Sequence, residues 1–349
     1  MSDDPIARML QTQGAVCASF GSAFYGALAP LAAAELAGAP RALFAPWEGA
    51  SYRQLVDDAV ALRFLGALHD LALSGEDADL AAAFPPVGDD AAAAWRVARA
   101  AIERHGARIA VFMSHEPQTN EVRRSACLLP GFLAVAAAFG LPMRCLETGA
   151  SAGLNQLWNR YGYDLGAAGR WGDPASPVQL NADWSGPTPA LASSVAVAET
   201  AACDRNPIDL ADPAQRRRLK AYLWPDQAER MARFDAAAGV AIAAGVRVEK
   251  ADAADWTAAK AAPREGLATV VFHSIFWQYL PAATQTAMRT ALERHGAAAT
   301  ASAPLAWLRM EPPPDAPVPI ELRLTLWPGG EERLLAEVQA HGAWLTWKG

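Results

Sequence analysis

Cys145-Leu146-Glu147-Thr148-Gly149-Ala150-Ser151-Ala152-Gly153-Leu154-Asn155 is the stretch on which the fold turns. An apolar run ends in an acid, a turn of small residues bounded by glycines follows, and Leu154 to Tyr161 has helical character. That is the pattern of a strand, a tight loop and a helix N-terminus. Small residues would let a ligand come close to the backbone N–H groups of such a loop.

Downstream of this stretch, apolar runs of strand length recur: Met143–Leu146, Val195–Ala198, Val246–Glu249, Ala268–Phe272 and Leu305–Met310. Helical stretches lie between several of them, Pro213–Ala244 and Ala282–His295 among them. Strands alternating with helices predict an α/β domain with a parallel sheet covered on both faces. Glu321–Trp327 and Leu334–Trp347 read as a closing hairpin. Trp158 to Pro189, rich in Gly, Pro and Trp, breaks the rhythm and reads as an insertion at about 158–190, with a small strand at Val178–Leu180.

Upstream, the texture is helical. Apolar residues recur at helical spacing from Tyr52 to Leu73, and Asp89 or Asp90 is placed to cap a helix reaching His105. Thr119 to Phe139 reads as another helix. The expected division is therefore a helical cap over 1–140 and an α/β domain over 141–349. The helical part is expected to roof the site and select the substrate.

Bulk properties narrow the function. The 349 residues are 52% hydrophobic and 19% charged, a globular balance. A formal charge of −7 argues against general binding to nucleic acid or anionic lipid. Arg216-Arg217-Arg218 reads as a solvated helix face. Cys17, Cys127, Cys145 and Cys203 are scattered with no C-x-x-C pair, so neither a zinc site nor a disulfide framework is expected. Met9 to Ala34 carries no charge, but Asp3 and Asp4 stand where a leader would be positive and Pro30 interrupts the run. A buried helix pair in a cytoplasmic protein is expected.

The order of these pieces resembles the Rossmann-like methyltransferases that use S-adenosylmethionine. Leu146-Glu147-Thr148-Gly149-Ala150-Ser151-Ala152-Gly153 is similar to their first motif, with Ser151 in place of the central glycine. The resemblance implies that Glu147 takes the donor's ammonium, that Gly149, Ala150, Ser151 and Gly153 pass along its tail, and that Asn155 lies just beyond. Asp204, in Ala202-Cys203-Asp204-Arg205-Asn206-Pro207, would hold the ribose hydroxyls, with Glu199 a rival. Asp252 and Ala253 would meet the adenine, with Asp255 an alternative cap. Val270-Val271-Phe272-His273-Ser274 resembles the fourth strand, whose end faces the methyl group. The chain as a whole also resembles a bacterial family of unknown function with this fold, through Pro117-Gln118-Thr119-Asn120-Glu121-Val122, Leu223-Trp224-Pro225-Asp226-Gln227, His273 and Trp277-Gln278-Tyr279-Leu280.

The residues assign roles as well. His273, at a strand end, is the first choice for base or substrate contact. Tyr279 and Trp277 are candidates to line the pocket. Asn120, Glu121 and Arg124 would bind a small acceptor if their segment covers the sheet's carboxyl edge, and Arg309 and Glu311 are further candidates. No metal site is implied. A non-catalytic binding protein on the same fold is the first alternative. The second is a serine hydrolase, since Gly149-Ala150-Ser151-Ala152-Gly153 also fits Gly-x-Ser-x-Gly. That alternative expects several strands before Ser151 and a histidine to activate it.

Overall fold

The computed structural model describes residues 4–313 and 318–349; Asp3 lies outside them. The chain divides into two compact units, 1–119 with 211–234, and 120–210 with 235–349. This division differs from the one at 140 expected from composition. The segment 120–139 belongs with the α/β unit, and a later segment belongs with the helical one.

In the helical unit, the uncharged stretch forms the expected pair, Pro5–Ser19 and Ala23–Ala34. Its small residues have a packing reason: a Cβ on Gly14 would lie 2.7 Å from Pro30 Cδ, and one on Gly26 2.9 Å from Ala18 Cβ. Asp226, from the Leu223–Gln227 stretch, anchors the second helix. It accepts from Ser22 Oγ at 2.6 Å and from the Phe24 N–H at 2.9 Å. The helix expected over Tyr52–Leu73 is two, Tyr52–Asp57 and Val60–Ser74, broken where Ala59 takes a left-handed conformation (φ 51°). Asp90 caps Ala91–Met113, which continues past His105. Likewise Pro213–Ala244 resolves into Pro213–Ala221 and Ala228–Ala243. Pro225, which cannot donate to a helix, lies between them.

Among the described residues the α/β unit holds twelve strands: β1 (Met143–Thr148), β2 (Gly162–Asp164), β3 (Arg170–Gly172), β4 (Gln179–Asn181), β5 (Asp183–Ser185), β6 (Val197–Asp204), β7 (Glu249–Lys250), β8 (Ala268–Ser274), β9 (Leu305–Glu311), β10 (Ile320–Trp327), β11 (Glu331–Val338) and β12 (Trp344–Trp347). Nine form one sheet in the order β5-β12-β11-β10-β9-β8-β1-β6-β7. From β7 to β9 every pairing is parallel. Numbered by their own succession, these five strands run 3-2-1-4-5, the order of a doubly wound sheet, with the switch point between β1 and β8. From β9 to β12 the sheet is an antiparallel meander. The second hairpin strand expected over Leu334–Trp347 is thus two strands, β11 and β12. The insertion makes a three-stranded sheet, β3-β2-β4, and then supplies β5 to the far edge of the main sheet.

Both faces of the sheet are covered. Helix Arg124–Phe139 lies on one, where Phe132 stacks on Trp158 at 4.0 Å and meets Phe272 edge-on at 5.1 Å. These three aromatics are fully buried, each contributing about 2–3 kcal/mol. On the other face, helices Ala253–Lys260 and Ala282–Ala297 bury Trp256, Met288 and Leu292 with Leu146, Val271, Trp307 and Trp327. Among the described residues no helix is long and apolar enough to cross a membrane.

Candidate functional site at the carboxyl edge of the sheet

β1 is buried at every position and delivers Glu147 and Thr148 to the switch point. The loop that follows is held by protein acceptors. The Ala150 N–H donates to Cys203 O (3.1 Å) and the Gly153 N–H to Ala150 O (2.8 Å). The Ser151 N–H donates to Asp204 Oδ2 (2.8 Å) and the Leu154 N–H to Asn120 Oδ1 (2.9 Å). The sequence suggested N–H groups open to a ligand; these four are engaged. Nor does the loop feed an α-helix. Leu154–Arg160 is a 3₁₀ stretch with a non-helical Leu157, so it lacks the aligned dipole of a helix N-terminus.

Asp204 sits where the ribose acid was expected, but its two oxygens take the N–H groups of Ser151 and Asn206, each at 2.8 Å. It fixes the loop to the end of β6. Asp252 is exposed and caps the helix that follows, its Oδ1 accepting from Ala254 (2.8 Å) and Asp255 (3.4 Å). Ala253 is buried in that helix's first turn.

The segment upstream does reach this edge. The expected helix over Thr119–Phe139 begins at Arg124, and the turn before it carries Asn120 to the loop. Arg124, buried, donates from NH1 to Ser274 O at the end of β8 (3.3 Å) and from Nε to Ala340 O (3.0 Å). Glu121 is buried and accepts from the Arg123 N–H at 3.2 Å. Ser125, which the sequence did not single out, donates to Asn155 Oδ1 at 2.7 Å. The structure therefore brings Asn120 and Asp204 onto the loop that follows Glu147, pairs Asn155 with Ser125, and sets the charges of Arg124 and Asp204 near Glu147.

Glu147 itself is 3% exposed. Burial pushes its carboxyl well above the usual range. The neighbouring Asp204 charge pushes the same way, and Arg124 opposes both. Among the described residues, five buried side-chain atoms here have no hydrogen-bond partner: Glu147 Oε2, Thr148 Oγ1, Ser151 Oγ, Asn155 Nδ2 and Gln156 Nε2. Leaving such atoms unpaired in a native interior costs about 1–3 kcal/mol each, so a cluster of them marks a place built to meet something polar.

His273 is different. It is fully buried, with Nδ1 2.6 Å from Glu311 Oε1 and Nε2 3.1 Å from Trp307 Nε1. An indole N–H only donates, so Nε2 accepts, and the ring proton sits on Nδ1 and goes to Glu311. Glu311 also accepts from the Phe276 N–H (3.0 and 3.1 Å). Trp277 stacks on the imidazole at 5.6 Å. Neither ring nitrogen is open to a substrate. Tyr279, 74% exposed, lies on the 3₁₀ turn Trp277–Tyr279.

Phe276 was not anticipated. A Cβ on Gly149 (φ 66°) would lie 2.0 Å from its ring, so the ring rests against the glycine's bare backbone. On its other side it meets His273 edge-on at 5.6 Å. Nothing in the local sequence pairs these residues; the contact follows from β1 and β8 being neighbours.

Two alternatives can be weighed on this geometry. Ser151 has the left-handed backbone of a nucleophile elbow (φ 54°), but its Oγ has no hydrogen-bond partner among the described residues, and β1 is the first strand of the chain, not a late one. Among the described residues no imidazole is hydrogen-bonded to it. As for metals, among the described residues no group of three or more His, Cys, Asp or Glu is placed to hold an ion.

No curated protein and no solved structure matches the chain. Over residues 7–347 it matches the family described as "Uncharacterized protein conserved in bacteria (DUF2332)", and it belongs to that family.

Proposed function

We propose that the α/β unit binds a small organic cation at Glu147, and that S-adenosylmethionine, the methyl donor implied by the resemblance, is the first such ligand to test. The observation that carries this is the buried Glu147 Oε2, which lacks a partner at the switch point of a doubly wound sheet. An ionised carboxylate is acceptor-only, and the donor's ammonium supplies N–H groups and the compensating charge.

The fit to the whole donor is divided. Glu147 suits the ammonium, and the exposed Asp252 keeps one carboxylate oxygen beyond its capping bonds for a nucleoside. The face of Gly149 along which the tail would run is covered by Phe276, and His273 has no free nitrogen for an acceptor's proton. No transfer step is derived from this arrangement. Binding is the function the geometry supports, with transfer to a small acceptor as its extension and a non-catalytic binding protein as the second reading, favoured by the closed state of His273.

Titration calorimetry with S-adenosylmethionine and S-adenosylhomocysteine tests it. Wild-type protein is expected to bind. Glu147→Gln is expected to weaken binding about thirtyfold, the loss of about 2 kcal/mol from one charge-assisted bond. Absence of binding at millimolar ligand, by wild-type protein and by a variant without the ring over Gly149 alike, would overturn the proposal.

A further inference from the structure

Phe276 packs against the buried cluster on one face of the sheet, and it has three further features. Its ring lies on the one face of the Gly149 turn that lacks a side chain, close enough that any other residue at 149 would collide with it. Its backbone is reached through Ile275, which has φ 50°. A β-branched residue in that region is a real outlier, the kind of strain that the surrounding structure must hold in place. And the turn is anchored at its start: the Ile275 N–H donates to Met310 O (2.9 Å), both oxygens of Glu311 take the Phe276 N–H, and that carboxylate is fixed by His273, itself fixed by Trp307, while Gln285 Nε2 holds Trp277 O (2.9 Å) further on. Beyond that anchor the chain runs out to the exposed Tyr279.

The half-buried ring is thus seated between His273 and Gly149, over the route a ligand tail would take to Glu147, on a strained turn with a rigid root. We propose that Phe276 is the side chain that decides what reaches Glu147: its ring stands in for the ligand's tail against Gly149, and a ligand enters by displacing it. The proposal deepens the cation-binding reading and rests on it. It also gives His273, Glu311 and Trp307 a positioning role, as the root from which the ring is aimed.

The test compares wild-type protein, Phe276→Ala and Phe276→Leu for affinity toward S-adenosylmethionine by calorimetry. Far-ultraviolet circular dichroism and a thermal scan show whether each variant is folded. Displacing the ring works against binding, so Phe276→Ala is expected to bind at least tenfold more tightly than wild type, with Phe276→Leu between them. Tighter binding by Phe276→Ala when wild type shows none would support the proposal in its strongest form. Equal or weaker binding by a folded Phe276→Ala, with wild type binding, would overturn the role of Phe276 and leave the cation site standing. Binding by none of the three would overturn both. Should Phe276→Ala fail to fold, Phe276→Leu carries the comparison, and a folded Phe276→Leu that binds no more tightly than wild type overturns the proposal.

Discussion

Glu147 and His273 end neighbouring strands and point to opposite faces of one sheet, because the register pairs Glu147 with Phe272 and side chains alternate along a strand. Both are buried, yet they are finished differently. Around His273, the imidazole, the Trp307 indole, the Glu311 carboxylate and the Phe276 N–H satisfy one another. Around Glu147, Thr148, Ser151, Asn155 and Gln156, buried atoms have no partner among the described residues. A closed polar network rigidifies; an unfinished one is costly to keep and is retained where a ligand completes it. The residue that reads most like a catalyst has both ring nitrogens engaged, and the acid beside the glycine turn keeps an oxygen without a partner among the described residues.

The largest effect should come from the finished side. His273→Ala opens a cavity and leaves Trp307 Nε1 and Glu311 without their shared partner. It is expected to cost about 4 kcal/mol of stability, read by urea denaturation. A loss below about 1 kcal/mol would break the contrast, since the network would then not be holding the edge.

The unfinished side should show itself through pH. Glu147 keeps its proton in the folded protein at pH values where the unfolded chain has released it, so the folded state binds the extra proton. Its contribution to stability is complete below the ordinary carboxylate range and falls as pH rises toward the raised value, by at most about 1.4 kcal/mol per pH unit. Denaturation midpoints over a pH series should carry this slope, and Glu147→Gln should remove it. A slope unchanged in the variant would mean that Glu147 is not the group concerned.

The smallest effect sharpens the comparison at the loop itself. Ser151 takes φ 54° and its hydroxyl has no partner among the described residues. Ser151→Gly relieves the left-handed strain and loosens the unfolded chain, and the two nearly cancel. A change within about 0.5 kcal/mol is expected from thermal unfolding. A larger loss would assign the hydroxyl a role that the geometry denies it.

What could be read from the chain alone follows from which forces are local. Three of the parallel strands were legible because a strand buried on both faces reads as an apolar run; Met143–Leu146, Ala268–Phe272 and Leu305–Met310 fall within β1, β8 and β9, whereas Val195–Ala198 and Val246–Glu249 only touch the starts of β6 and β7, which are largely exposed. The Asn120–Arg124 segment was legible as a polar cluster between apolar helices. Its arrival at the loop depended on the sheet. The partners of Asp204 were not legible, because an acid at a strand end looks the same whether it faces a ribose or its own neighbour's N–H. Those of His273 were not legible either, because they lie on β9, and only the register of β8 against β9 puts Trp307 and Glu311 beside it. There was a signal: Trp307, Arg309 and Glu311 alternate along one strand, a polar stripe that a purely apolar core strand would not carry.

β5 has a consequence of another kind. Its neighbour β12 lies at the far end of the chain, and Ser185 donates to Thr346, 161 residues later. During synthesis, then, this rim of the sheet has to wait: Asp183–Ser185 stays unmatched until Trp344–Thr346, 161 residues later, has left the ribosome. Over that interval β5 presents an open strand rim, the kind of surface on which nascent chains stick to one another. Truncation just before Trp344 should therefore be felt first as poor recovery of soluble protein, with the glycine turn far away across the sheet still correctly formed.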